Sequence, residues 1–283
     1  MRYQPARWLG GDGEWAGHGQ TIWPALYSRR FASDAPVYRR ERWPTPDGDF
    51  IDVDWLVDSA GGRALAPPSA HVDAAASPAE RPLLVLFHGL EGSSRSAYAE
   101  ALADACAAAG WAFAVPHFRG CSGEVNLAPR AYHSGDFEEV GWILARLRER
   151  HAGPRLAVGV SLGGNALLRW AEEAGTQARA LVRAIAAVSA PLDLMTSGLH
   201  LGQGFNRWVY TRMFLRTMKA KAALKLRQFP GLFDGERMRA ARDLWQFDDV
   251  FTGPLHGFQG VAGPRDGDAA RSAAMDGASV GLS

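Results

Sequence analysis

Short unbroken apolar runs alternate with segments of helical periodicity through the middle of the chain. Such runs, too short for helices, are typical of strands buried on both faces of a sheet. Four are predicted to be strands: residues 83–87, 111–116, 156–160 and 184–188. Three intervening segments have apolar residues at helical spacing and are predicted to be helices: 97–109, 137–150 and 165–174. This order predicts right-handed crossovers and a mostly parallel sheet covered on both faces.

Two further patterns flank this alternation. Apolar and acidic residues alternate over 50–55 after the turn signal Pro46-Asp47-Gly48, which predicts an antiparallel hairpin within 40–56. After Asp193 the alternation of strands and helices stops. Segment 199–245 then contains two or three helical stretches rich in Arg, Lys, Met and aromatic residues. We predict that these stretches form a helical cap over the sheet.

These patterns divide the chain into four predicted regions. They are an N-terminal arm (1–39), an α/β core (40–196), a cap region (197–258) and an atypical low-complexity tail (259–283). Within the core, segment 59–81 is rich in Ala, Pro, Ser and Gly, and it is predicted to be a surface loop.

The composition of the chain indicates which cellular compartment and which classes of partner to expect. The 283 residues carry 31 basic and 30 acidic side chains, and this net charge of +1 gives no reason to expect a nucleic-acid partner. Two cysteines, Cys106 and Cys121, do not make a disulfide framework, and Cys121 is expected to be a packed turn thiol. The chain shows neither a signal-peptide h-region nor an apolar run long enough to span a bilayer. We therefore expect a cytoplasmic protein.

The segment Gly159-Val160-Ser161-Leu162-Gly163 carries the main chemical signal. A serine between a buried strand and a helix lies on a sharp turn that exposes its hydroxyl, and glycines are needed where a Cβ would meet a neighbouring element. An ordinary helix N-cap serine is the alternative interpretation. The strand before the motif and the helix after it favour a nucleophile, so Ser161 is the candidate catalytic residue.

A nucleophilic serine also requires hydrogen-bond donors for the oxyanion. In this arrangement one donor is the backbone N–H of the residue after the serine, here Leu162, and the other comes from a loop after an earlier strand. The segment His88-Gly89-Leu90-Glu91-Gly92 follows the strand at 83–87, and Leu90 is the candidate for the second donor. His88 precedes this loop and is expected to be structural. No metal and no cofactor are expected.

Several motifs together resemble the signature blocks of the YheT-like branch of the α/β-hydrolase superfamily. They occur in the order of that branch: 17–22, 88–94, 119–123, 132–135, 159–165 and 247–258. Their co-occurrence over most of the chain is more specific than the serine motif alone. The resemblance implies an α/β-hydrolase fold and a carboxylic-ester hydrolase. Its substrate would be a small-molecule ester or lipid, such as a short-chain ester, an acylglycerol or a lipid ester.

The chain departs from this family in its catalytic triad. The order in α/β-hydrolases is Ser, then Asp or Glu, then His, and in this family the last two follow the final two strands, beyond 247–258. Residues 259–283 contain no apolar strand and no histidine. We therefore expect both strands and both triad members to be missing and the activity to be weak or absent. Asp193 and His256 are candidate substitutes, although a turn former and a cap-end residue are their more ordinary roles.

Two functions remain open from the sequence. One is a serine hydrolase of carboxylic esters, and the other is a non-catalytic acyl-binding or interaction protein that keeps the pocket and the cap. The basic, aromatic stretch 207–216 favours a lid over an acyl pocket, with peripheral lipid contact as the alternative. Acyl length, head group and oligomeric state are left open.

Overall fold

The computed structural model describes residues 17–19, 21–23, 34–57 and 81–257. Most of the predicted arm, the predicted loop up to Arg81 and the predicted tail lie outside these residues. The strands are β1 (Tyr38–Pro44), β2 (Phe50–Leu56), β3 (Leu83–Phe87), β4 (Ala112–Pro116), β5 (Arg155–Val160) and β6 (Ala184–Val188). They form one sheet in the order β1-β2-β4-β3-β5-β6. β2 is antiparallel to β1 and β4, whereas β4, β3, β5 and β6 are parallel.

Helices connect the strands and continue beyond β6. They are α1 (Ala97–Ala109), α2 (Phe137–Arg150), α3 (Leu162–Ala174), α4 (Ala178–Leu181), α5 (Leu194–Leu201), α6 (Gly204–Asn206), α7 (Arg212–Gln228), α8 (Gly235–Ala240), α9 (Leu244–Val250) and α10 (Thr252–Leu255). A π-helical stretch, Arg207–Thr211, joins α6 to α7. The predicted α/β architecture with an N-terminal hairpin is confirmed. Helix α3 begins at Leu162 rather than at Asn165, because it opens directly from the turn that holds Ser161.

Apolar side chains pack against both faces of the sheet. On β3, Val85 faces a core that includes Leu144 of α2 and Leu167 of α3. Its neighbour Leu86 faces the opposite core, where it packs with Ala103 of α1. Successive side chains of a strand point to opposite faces, so a strand covered on both sides is apolar at every position. This packing accounts for the unbroken apolar runs of β3, β4 and β5.

Strand β2 lies inside the sheet, and its acidic residues are buried together with its apolar ones. Asp52 is 1% exposed and Asp54 is 3% exposed. Arg40 donates two hydrogen bonds to Asp54, at 2.7 and 2.9 Å, and His117 and Ser94 also contact this carboxylate, at 2.8 and 2.6 Å. Burial opposes ionisation of Asp54, but these partners hold its pKa well below the usual range. The alternating acids of the hairpin therefore tie it to the sheet.

The segment after β6 forms a third, smaller core of its own. Leu215 of α7, Met238 of α8 and Phe247 of α9 are buried together in it. Helix α5 spans the predicted boundary between core and cap at 196/197. Within the described residues, β6 pairs with β5 alone, and four of its five residues are exposed. No described helix combines the length and the apolar character required to cross a membrane.

Candidate active site

Ser161 lies in a strained turn between β5 and α3. Its backbone has φ +80° and ψ −110°, and its N–H donates to the carbonyl of Val188 on the neighbouring strand at 2.9 Å. A residue with a side chain rarely adopts such a φ, and strain of this kind is concentrated at functional sites. The conformation turns the chain sharply from strand to helix, as the motif predicts.

Two glycines make this turn possible. A Cβ on Gly163 would lie 2.5 Å from the carbonyl oxygen of His88 and closer still to that of Phe87. A Cβ on Gly159 would lie 2.6 Å from Cα of Gly164. Both contacts involve backbone atoms, which cannot rotate away as a side chain can. The glycines therefore allow helix α3 to approach the ends of β3 and β5.

The loop after β3 packs directly against Ser161. A Cβ on Gly89 would lie 3.3 Å from Cβ of Ser161, so the glycine permits the approach. The two residues predicted to supply oxyanion donors, Leu90 and Leu162, line the same cavity as Ser161. The structure thus brings together all three predicted site residues.

His88 stabilises this loop through hydrogen bonds between its ring and backbone groups. It is fully buried, its Nδ1 lies 2.8 Å from the carbonyl oxygen of Gly89, and its Nε2 accepts from the N–H of Phe118 at 3.1 Å. Burial lowers its pKa to about 3, so the ring is neutral. Both ring nitrogens are occupied by backbone groups, which agrees with the structural role predicted for His88.

A cavity of about 530 Å³ opens above Ser161, between the sheet and the cap. Its volume falls within the range of about 300–1,000 Å³ that is common for small-molecule sites. Most of its lining surface is apolar, and the cap contributes large apolar side chains to it, including Leu201, Phe214, Met218, Trp245 and Phe251. A serine at the base of such a cavity is accessible to a ligand with a hydrocarbon chain. Within the described residues, no group of three or more His, Cys, Asp or Glu side chains has metal-site geometry.

Comparison with known proteins identifies the family. A family profile described as alpha/beta hydrolase fold matches residues 82–234. The chain belongs to this family. YheT of Escherichia coli strain K12, which is named as an esterase, is 39% identical over 244 residues, or 85% of this chain and 65% of that protein. This similarity confirms the predicted resemblance to the YheT-like branch of α/β-hydrolases.

More distant relatives carry lipase names. The human phospholipase ABHD3 is 27% identical over 263 residues, which is 92% of this chain and 58% of that protein. The monoacylglycerol lipase of Saccharomyces cerevisiae is 24% identical over 196 residues, which is 63% of this chain and 41% of that protein. The chain thus spans less than two thirds of the length of each of these relatives.

A polar cluster that the sequence did not reveal connects the cap to the loop after β3. Glu91, at φ +57°, donates its backbone N–H to the hydroxyl oxygen of Tyr132 at 2.9 Å, and this hydroxyl donates back to the Glu91 carboxylate at 2.9 Å. Lys221 of α7 donates to the same carboxylate at 2.9 Å and contacts the sulfur of Cys121 at 3.3 Å. The ion pair fixes the residue next to Leu90, so the cap helix and the predicted oxyanion loop are held as one unit.

Cys121 is a packed turn thiol, as predicted. It is 8% exposed, and burial raises its pKa to about 11. A thiol with a raised pKa is a poor nucleophile because its thiolate fraction is small. Its contact with Lys221 therefore belongs to the structural cluster around Glu91.

The structure does not assemble the substitute triad. Asp193 caps helix α5, where its side chain accepts from the N–H of Thr196 at 2.9 Å. His256 packs edge-to-face on His133 with ring centroids 4.3 Å apart, and it lines a separate pocket from that of Ser161. Burial lowers the pKa of His256 to about 4. Both residues therefore have the ordinary roles expected for them.

Across the described residues, the Ser161 hydroxyl has no histidine as a hydrogen-bond partner. His133 is the histidine that lines its cavity, and the Nδ1 of this ring accepts from the N–H of Gly135 at 3.1 Å. Burial lowers the pKa of His133 as well. The described part of the chain therefore holds the strained serine turn, the glycine loop and the cavity, without a histidine hydrogen-bonded to Ser161.

Proposed function

We propose that this chain carries the nucleophile and the oxyanion hole of a serine hydrolase of carboxylic esters. Ser161 is the nucleophile, and the backbone N–H groups of Leu90 and Leu162 stabilise the oxyanion. The substrate is a small-molecule ester or a lipid ester whose acyl chain lies in the cavity between sheet and cap. No metal or cofactor takes part in the proposed reaction.

The observation that carries the proposal is the strained backbone of Ser161 at the base of an apolar cavity. A serine at φ +80° and ψ −110° costs free energy that an ordinary N-cap serine does not, since a residue held in a sparsely populated backbone region costs on the order of 1–3 kcal/mol. The glycines around it have no other evident use than to permit this turn and the approach of the Gly89 loop. The esterase and lipase names of the relatives support the same chemistry.

The rate of the proposed reaction depends on a base. A serine hydroxyl is a weak nucleophile unless an adjacent base accepts its proton, and the described residues place no histidine beside Ser161. An oxyanion hole and substrate binding without the triad leave only about 10³- to 10⁴-fold acceleration over water. We therefore propose that the chain itself is weakly active or inactive.

The second candidate function is non-catalytic binding of acyl compounds on the same scaffold. The absence of a histidine partner for Ser161 within the described residues favours it. Titration with p-nitrophenyl esters of two to twelve carbons separates the two functions. A slow turnover that disappears in Ser161→Ala supports the hydrolase, whereas saturable binding without Ser161-dependent product supports the binding protein.

We propose in addition that the cap contacts lipid at the membrane surface. Trp208 is 69% exposed and Met213 is 55% exposed, and the guanidinium of Arg212 lies 5.5 Å from the centroid of the Trp208 ring. Arg207 and Arg216 are exposed beside them. No acidic residue occurs between Asp193 and Asp234, so the surface is basic and aromatic, which suits an anionic lipid interface.

Vesicle sedimentation tests this contact. Replacing Arg207, Arg212 and Arg216 together by Gln should weaken binding to phosphatidylglycerol vesicles roughly 100-fold at low salt, because each arginine near the surface contributes about 1 kcal/mol. The control variant replaces the exposed Arg148, Arg179 and Arg183 by Gln, which changes the net charge equally, and it should bind as the parent does. Equal loss in both variants would show a general charge effect and reject a specific cap surface.

A further inference from the structure

The cavity contains one carboxyl group whose role neither the triad nor the Glu91 cluster explains. Asp248 of α9 lines the cavity together with Ser161. Its one hydrogen-bond partner within the described residues is the hydroxyl of Thr252, which donates to Oδ1 at 2.6 Å. Its second oxygen, Oδ2, has no partner in that part of the chain.

This environment is costly for a carboxylate. Burial raises the pKa of Asp248 to about 6, opposed only by the Thr252 hydrogen bond. A buried charge normally has several hydrogen bonds or an opposite charge beside it, since desolvation otherwise disfavours it. The adjacent acid is different, because Asp249 lies at the surface and pairs with Arg237 at 3.2 Å. Oδ2 of Asp248 has no protein partner in the described residues and is not fully enclosed, so it is open to a ligand in the cavity.

We infer that Asp248 is a ligand-binding residue that accepts a hydrogen bond from a free hydroxyl on the alcohol part of the ligand. The inference rests on the proposed acyl-ester site and specifies the substrate class further, as an ester whose alcohol retains at least one hydroxyl. A hydroxyl of the ligand would donate the hydrogen bond that Oδ2 lacks within the described residues. The Thr252 hydroxyl, which already fixes Oδ1, holds the carboxylate in one orientation.

A hydroxyl fits this position better than a cationic group. The cavity is mostly apolar, so a cationic group would lose its hydration on entering it, and a single carboxylate offsets only part of that cost. The hydrocarbon chain of an acyl group offers no donor, whereas the alcohol of a partial ester does. Asp248 is therefore matched to the alcohol part, and the apolar cap residues to the acyl chain.

Binding of non-hydrolysable ligands to the full chain tests this inference without requiring turnover. The probes are 1-O-octylglycerol, which has two hydroxyls, 1-methoxyoctane, which has none, and octylamine, which is cationic. Isothermal titration calorimetry below the micellar concentration gives each Kd. We expect 1-O-octylglycerol to bind about 10- to 100-fold more tightly than 1-methoxyoctane, as a hydrogen bond to a charged acceptor would give.

Variants separate the Asp248 subsite from the rest of the cavity. Asp248→Leu should abolish the preference for the hydroxylated probe, and the near-isosteric Asp248→Asn should reduce it if the leucine variant does not fold. The control Asp249→Asn should retain the preference. Equal affinities in the parent, a preference that survives Asp248→Leu, or tighter binding of octylamine would overturn the subsite while leaving the acyl site intact. If neither neutral probe binds, the acyl site and the subsite are both rejected.

Discussion

Replacing residues 259–283 with the segment that follows the 247–258 block in Escherichia coli YheT should raise kcat for p-nitrophenyl esters by roughly 10³-fold or more. The described residues place no histidine beside Ser161, and from the chain order of α/β-hydrolases we expect the added segment to carry a histidine and its orienting carboxylate. The scaffold that receives them is already formed, since the elbow, the Gly89 loop and the cavity are in place in the described structure.

Two controls make the result specific. The gain should vanish in the chimera with Ser161→Ala and in the chimera that lacks the added histidine. The chimera must also be shown to fold, by a cooperative melt and a monodisperse elution profile. A folded chimera that hydrolyses no ester of two to twelve carbons would reject the hydrolase and favour the acyl-binding protein.

Gly163→Val should destabilise the protein by at least about 3 kcal/mol, the upper range for overpacking in a core. The added Cβ would lie 2.5 Å from the carbonyl oxygen of His88, and neither β3 nor α3 can move without displacing Ser161. Chemical denaturation of the purified variant measures the loss, which in the extreme case appears as insoluble protein.

Gly198→Ala is the matched control for that substitution. Gly198 lies within helix α5, and a Cβ there would meet no atom within 4 Å. Removing a glycine from a helix interior should stabilise the protein by up to about 1 kcal/mol. If Gly163→Val is tolerated as well as Gly198→Ala, helix α3 does not approach β3 as closely as the structure indicates.

The backbone of the site could be predicted from local signals. Strand β3 and the Gly159–Gly163 turn each carry their own pattern, an apolar run in one case and glycines flanking a serine in the other. The sequence pattern places the start of helix α3 three residues late, at Asn165, because Gly163 and Gly164 are poor helix formers. Their helical conformation depends on the turn at Ser161. That turn is held by contacts with residues distant in sequence, such as the hydrogen bond from Ser161 to Val188.

The polar contacts within the cavity could not be predicted in the same way. Lys221 and Glu91 are 130 residues apart in the chain, and neither lies in a motif that implies the other. Asp248 and Asp249 are adjacent and chemically identical, yet one lines the cavity and the other pairs with Arg237. Such differences arise when the cap folds over the sheet, and periodicity alone does not encode them.

The most direct test of the account is the rate at which a fluorophosphonate probe labels Ser161, with the modified residue identified by mass spectrometry. The account predicts that the 283-residue chain labels at least about 10³-fold more slowly than the chimera with the added histidine, because no histidine accepts a hydrogen bond from the Ser161 hydroxyl within the described residues. In both proteins the label should lie on Ser161 and disappear in Ser161→Ala. Rapid stoichiometric labelling of the chain itself, or labelling at another serine, would contradict the account.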